Sequence, residues 1–165
     1  MRLDHDFFDR HFGDLWPIHN RGFTALLVEC RRLFDGDLDQ ALILSVIGER
    51  TLTKDRASGL RYQEFVDGVR RSGKRKPINI QSIADGTGIP RETVRRKIGL
   101  LVERGWVRRN DDETIEVTES APVDLAPATS ATFEYLSAIG NAIVARASDA
   151  PAGPARGKGG AGPKT

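Results

Sequence analysis

The chain has 165 residues, a net charge of +2, 29% charged residues and a single cysteine. That length suits one domain of ordinary size with small extensions, and one cysteine excludes both an internal disulfide and a cysteine-based metal knuckle. No stretch is apolar enough to span a bilayer, and the start lacks the charged, apolar and cleavable segments of a leader, so a cytoplasmic protein without membrane contact is expected.

Residues 1–36 read as an N-terminal helical extension, with one helix over Asp4–Phe12 and a second over Ile18–Phe34. All three histidines, His5, His11 and His19, fall here beside Asp4, Asp6, Asp9 and Asp14. Imidazole with carboxylate suits zinc, iron or manganese. The spacings are not the three or four residues that align ligands on one helical face, so polar helix surface or capping is preferred and no metal is assigned. Cys30 lies among Leu26, Leu27, Val28 and Leu33 and reads as a buried structural thiol. Arg31 and Arg32 beside it are the one support for redox sensing, since cations lower the pKa of an exposed thiol.

A third helix runs from Asp37 or Leu38 to about Arg50. Its residues Leu38, Ala41, Leu42, Leu44, Val46 and Ile47 are apolar all round, as a mostly covered helix requires. An inserted helix over 60–71 carries Tyr62, Phe65, Val66 and Val69 at helical spacing. The basic run Arg70, Arg71, Lys74, Arg75 and Lys76 follows. It has two open roles, lying across a phosphate backbone or serving as a soluble linker through Ser72 and Gly73. Pro77 and Ile78 supply a third small strand.

From Asn79 to Val107 the pattern is a short helix, a glycine turn and a longer basic helix. Asn79 caps the first helix, whose Ile83 and small Ala84 face inward. Gly86 and Gly88 bracket Thr87 and give the turn its positive φ. Pro90 takes a first-turn position, where its missing N–H has no partner to lose. Val94, Ile98, Leu101 and Val102 form one apolar stripe. Arg91, Glu92, Thr93, Arg95, Arg96 and Lys97 lie on the other side, mostly in the first two turns. Gly99, mid-helix, costs about 1 kcal/mol against alanine and implies a close neighbour.

Trp106–Arg109 then makes a strand, Asn110–Glu113 a polar turn, and Thr114–Thr118 a half-buried return strand with period two. The hairpin's acidic tip, Asp111, Asp112 and Glu113, is repelled by phosphate, which leaves Arg108 and Arg109 at its base as the backbone contacts. Pro122 and Pro127 bound a connector. From Thr129 or Ser130 an amphipathic helix carries Phe133, Leu136, Ile139, Ile143 and Val144. Together, 121–147 read as linker and C-terminal helix, and 148–165 as a disordered basic tail.

The order IAxxxGIxRETVRRxIxxLxxxGWV resembles the winged helix-turn-helix of bacterial transcription regulators of the GntR, MarR and catabolite-activator types. The resemblance is dense from Asn79 to Val107 and reaches at most from Ala41 to Thr118. It implies a mainly α fold with a small β-hairpin wing over residues 37–120, flanked by N- and C-terminal helices. It also implies that Arg91, Glu92, Thr93, Arg95 and Arg96 lie at or near DNA. Lys97 departs from the pattern, standing where those families usually carry a small or apolar residue, which leaves open a rotated helix or a snorkelling side chain.

Charge placement agrees with this resemblance. From Gly68 to Arg109 twelve Lys and Arg stand against three acidic residues, an excess of nine, so the rest of the chain carries −7. The expected function is a dimeric, sequence-specific regulator of transcription that lays residues 90–104 in the major groove of double-stranded DNA. Its contacts are Pro90, Arg91, Glu92, Thr93, Arg95, Arg96, Lys97, Arg108, Arg109, Arg75 and Lys76. Two alternatives remain: a winged-helix module that binds another protein, and a metal- or redox-responsive sensor that binds DNA. With no nucleophile elbow, phosphate loop or zinc-hydrolase motif, neither catalysis nor a cofactor is expected.

Overall fold

The computed structural model describes residues 3–51, 59–71 and 78–148. The basic approach residues Lys74, Arg75 and Lys76, the strand residue Pro77 and the tail beyond Ser148 lie outside that range. The described chain is mainly helical, with one two-stranded antiparallel hairpin, the winged helix-turn-helix class that the sequence implies.

Helix α1 (His5–Arg10) starts on Asp4, whose carboxylate accepts the Phe7 N–H at 3.1 Å. Helix α2 (Phe12–Leu33) begins six residues before the expected Ile18 and runs through Pro17. The proline removes only the bond that residue 17 would donate to the carbonyl of Gly13, and the remaining turns hold. Asp35 and Gly36, at φ 49° and 88°, then turn the chain into α3 (Leu38–Thr51). The cover expected over most of the α3 surface is partial: Ile43, Leu44 and Ile47 are buried, whereas Leu38 and Leu42 are exposed. Helix α4 (Tyr62–Arg71) is the inserted one. Its Val66 is buried, and its Tyr62 hydroxyl donates to the Pro122 carbonyl at 3.0 Å.

Helix α5 (Ile80–Thr87) is capped by Asn79, which accepts the Ser82 N–H at 2.9 Å. Gly88 alone supplies the turn's positive φ, 72°, and returns its N–H to the Ala84 carbonyl at 2.8 Å. Gly86 is an ordinary helical residue of α5, so one left-handed glycine makes this turn. Helix α6 (Arg91–Glu103) follows Pro90, which stands one position ahead of the first helical residue. Gly105, at φ 73°, closes α6. The Trp106 N–H reaches the Leu101 carbonyl and the Gly105 N–H reaches that of Val102, a Schellman ending.

Strands β1 (Val107–Arg109) and β2 (Ile115–Val117) pair with Arg108 opposite Glu116 and Arg109 opposite Ile115. Ile78 adds a single bridge, accepting the Ile115 N–H at 2.8 Å. The connector holds a further short helix, α7 (Ala121–Asp124). Helix α8 (Ala126–Ser148) starts earlier than expected because Pro127 falls in its first turn, where proline is tolerated.

One core joins α3, α5, α6 and the hairpin, built on Ile43, Ile47, Ile83, Val94, Ile98, Leu101, Val107 and Ile115. Val102, expected in that stripe, is 40% exposed, because it lies on the next row around α6. Lys97, grouped with the DNA-facing cations, is turned inward: its side chain is 8% exposed and its Nζ donates to both Asp37 oxygens, at 2.6 and 2.5 Å. Asp39 lies 3.4 Å from the same ammonium. Neither a rotated helix nor a snorkelling stem is needed, since α3 brings two carboxylates to the lysine. Burial acts to raise the Asp37 pKa, but hydrogen bonds from Lys97 and Gln40 outweigh it and hold the carboxyl below its ordinary value.

The flanks pack as a pair, α2 along α8. At Gly22 an added Cβ would lie 2.4 Å from the Tyr135 ring, and Tyr135 is pinned by its hydroxyl to His19 Nδ1 at 2.9 Å. Gly99 is the opposite case. No atom lies within 4 Å of a Cβ built there, so the close neighbour expected of it is absent.

These two glycines therefore respond oppositely to alanine. Gly99→Ala raises stability by about 1 kcal/mol through helix propensity, and Gly22→Ala lowers it by about 1–3 kcal/mol through overpacking. Chemical denaturation of both variants reads the difference. Asp37→Ala, which leaves the buried ammonium only its longer contact with Asp39, costs about 3 kcal/mol at neutral pH. Because the folded Asp37 pKa is depressed, its contribution is complete above the ordinary value of 3.8 and is lost as pH falls through the lower folded value. Denaturation midpoints measured down through that window fall less steeply in Asp37→Asn than in the parent.

Candidate nucleic-acid interface

With Val94, Lys97, Ile98 and Leu101 inward, α6 presents its remaining side chains outward. Pro90, Arg91, Glu92, Arg95 and Arg96 are exposed and Thr93 is half-buried. The rotation of α6 is set from behind, by packing and by the ion pair to Asp37, which leaves the cationic row pointing away from the core.

A cleft of about 490 Å³ opens where the start of α6 meets the N-terminal end of α5 and the hairpin. Arg91 and Arg95 line it from α6, Arg109 from β1, Gln81 from the first turn of α5, and Asn79 and Asn110 from the flanking cap and wing turn. Three guanidinium groups in one concavity match an anionic ligand, and Arg presents paired N–H donors to phosphate or to guanine. Arg95 also has Glu92 at 3.5 Å, both well exposed. A pair so exposed is worth little, so Arg95 exchanges it readily for a phosphate.

The two wing arginines separate. Strand alternation sends Arg109 into the cleft, while Arg108 donates to Glu116 on the opposite strand. Arg108 is thus engaged in the hairpin, and Arg109 alone of the pair joins α6. The acidic turn is folded on itself: Asp112 accepts the N–H and hydroxyl of Thr114, and these bonds lower its pKa. Glu113, at φ 61°, reaches the cleft's rim and is its one acidic side chain.

Sequence reasoning missed three polar members of this cleft. Asn79 reads from the sequence only as a cap and Asn110 only as part of the polar turn, and Gln81 has no role there. Asn110 adjoins Arg109, but only the close approach of hairpin and α5 shows that Gln81 and Asn110 share a surface. Its structural signal is the Ile78–Ile115 bridge, a contact 37 residues apart in sequence.

The features behind the alternative readings lie elsewhere. Among the described residues no three or more His, Cys, Asp or Glu side chains come together as metal ligands would. Cys30 is half-buried rather than fully buried, and its thiol pKa is pushed up by burial first and by Glu29 second, opposite to the shift that Arg31 and Arg32 would give. No helix among the described residues is long and apolar enough to cross a membrane.

A family model described as the IclR helix-turn-helix domain matches residues 72–111, which covers α5, the turn, α6 and the first strand of the wing. No curated protein and no solved structure matches the chain. The matched segment is 40 of 165 residues. It is similar to the IclR type of motif, not to the GntR, MarR and catabolite-activator types that the sequence pattern first resembles. The match and the exposed cationic face agree on the coarser identity: the chain carries the DNA-binding helix-turn-helix of a bacterial transcription regulator.

Proposed function

We propose that the protein is a sequence-specific, dimeric regulator of transcription that inserts α6 into the major groove. The observation that carries this reading is the convergence of Arg91, Arg95 and Arg109 in one cleft. Pro90, Glu92, Thr93 and Arg96 complete the surface offered to the duplex, with Arg91 and Arg95 reading base edges and Arg109 holding phosphate. Lys97 is left out because its ammonium is spent on Asp37. Arg108 is a secondary contact because Glu116 competes for it. Arg75 and Lys76 belong to the proposal as backbone contacts on charge alone.

In this reading residues 37–120 form the DNA-binding domain, and residues 1–36 and 121–147 hold two copies together. The support is apolar surface on the paired flanking helices: Leu27 and Val28 on α2, and Leu136 and Val144 on α8, are all exposed. A second copy is the occupant that fits, because a regulator reading two half-sites one helical turn apart needs two-fold symmetry. Such a protein works in the cytoplasm, where the DNA is.

Fragments selected from genomic DNA by the parent protein share a motif, and Arg91→Ala and Arg95→Ala each lose about 1–3 kcal/mol of preference for it. Arg109→Ala weakens all sequences alike and reduces the salt slope of log K by about 1; Arg108→Ala does less. Undiminished preference in the Arg91→Ala, Arg95→Ala double variant would sink the proposal. For the assembly, light scattering gives a dimer for the parent and a monomer for Leu136→Glu with Val144→Glu, and a monomeric parent contradicts it.

A further inference from the structure

A second concavity, of about 420 Å³, lies between α1, α2 and α8. It lies at the far end of α2 from the winged core. Trp16 in its wall precedes Phe34 of the winged core by 18 residues, roughly 27 Å of helix rise. The volume falls in the range of about 300–1,000 Å³ usual for small-molecule sites.

Its walls are aromatic. Phe8 comes from α1, Phe12 and Trp16 from α2, and Tyr135 from α8. The Phe12 and Trp16 rings stack at 5.1 Å with 22° between their planes, and the Trp16 ring is 5.1 Å from that of His19. His19 in turn fixes the facing wall through its bond to the Tyr135 hydroxyl. Phe8, Phe12 and Trp16 are 42%, 54% and 47% exposed. Three neighbouring aromatic rings left half in water form a patch of the kind that marks a binding surface.

The charge of the lining then selects the ligand. Asp9 supplies a carboxylate, and among the described residues no lysine or arginine lines the cleft; its other ionisable members are Tyr135 and the imidazoles of His5 and His19, the latter bonded to the Tyr135 hydroxyl. The nearby cations on the same helices are engaged with carboxylates, Arg10 with Asp6 at 2.9 Å and Arg146 with Asp14 at 2.9 Å. Aromatic faces carry negative potential, so ring walls and a carboxylate act in the same direction: they attract a cation and repel an anion of equal shape. We infer that this cleft is a binding site for a lipophilic organic cation, with an apolar body against the rings and its positive centre toward Asp9 and the Trp16 face.

Tetraphenylphosphonium and tetraphenylborate test this, because they share size and shape and differ in the sign of charge. Titration calorimetry on the full chain gives binding of the phosphonium in the micromolar range and binding of the borate at least about ten-fold weaker. Asp9→Asn weakens the phosphonium about five-fold, the loss of one partly screened charge contact, and does not weaken the borate. Trp16→Leu weakens the phosphonium while Asp9 is intact. Both positions are exposed, and circular dichroism checks that the variants fold; if either does not, the ratio between the two ions on the parent protein decides alone. Equal affinity for both ions overturns the inference, because the site would then be merely apolar. So does absence of phosphonium binding, the result expected if a second copy covers the cleft, and so does an unchanged phosphonium affinity in a folded Asp9→Asn.

Discussion

The ammonium of Lys97 holds both oxygens of Asp37, and that ion pair ties the basic helix α6 to the start of α3. With Val94, Ile98 and Leu101 fully buried on the same side, it leaves α6 a single rotation about its axis. The cationic row of Arg91 and Arg95 points outward as a consequence of what is fixed behind it. Buried ion pairs are weak sources of net stability, because desolvation consumes most of the attraction; their contribution is to penalise alternatives. Here the alternative is an α6 turned so that Lys97 reaches solvent, which would carry the buried row outward and scatter the three arginines of the cleft.

The helix-turn-helix was legible because its signals are local. Asn79 caps a helix with its own side chain, Gly88 and Gly105 end helices through their own backbones, and the apolar period of α6 names Val94, Ile98 and Leu101 without reference to any neighbour. What the sequence concealed depends on partners far along the chain. Lys97 looks like one more surface cation until Asp37, sixty residues earlier, is seen beside it. Arg108 and Arg109 look equivalent until pairing places Glu116 opposite the first. Val102 fits the apolar stripe by spacing, yet it lies one row farther round, where the core ends. α2 starts six residues before the expected Ile18 and runs through Pro17, and whether a helix survives a proline depends on its packing. Here Gly22 seats α2 against Tyr135 of α8.

The flanking pair meets the winged domain at the corner around Trp106, and also where Tyr62 of α4 packs edge-on against Phe133 of α8. Arg104, at the end of α6, donates to the Leu33 carbonyl at 2.8 Å, pairs with Asp35, and lies 4.8 Å over the Trp106 ring. Trp106 packs edge-on against Phe34 and donates its indole N–H to Asp124 at 2.8 Å. The end of α2, the end of α6, the wing and the approach to α8 thus meet around one indole. The flanking helices and the winged helix-turn-helix are thus coupled by packing around Trp106. The IclR-type match ends at residue 111 and leaves the flanking pair outside it.

The central claim, that DNA is met by the start of α6 together with the wing base, is tested most directly by amide chemical-shift mapping. The isotopically labelled full chain would be titrated with a duplex drawn from its selected fragments. Perturbations are expected to concentrate in residues 79–81, 90–96 and 109–113, with little change in the body of α2 and α8. Perturbations centred on the flanking helices, with 90–96 unmoved, would contradict it.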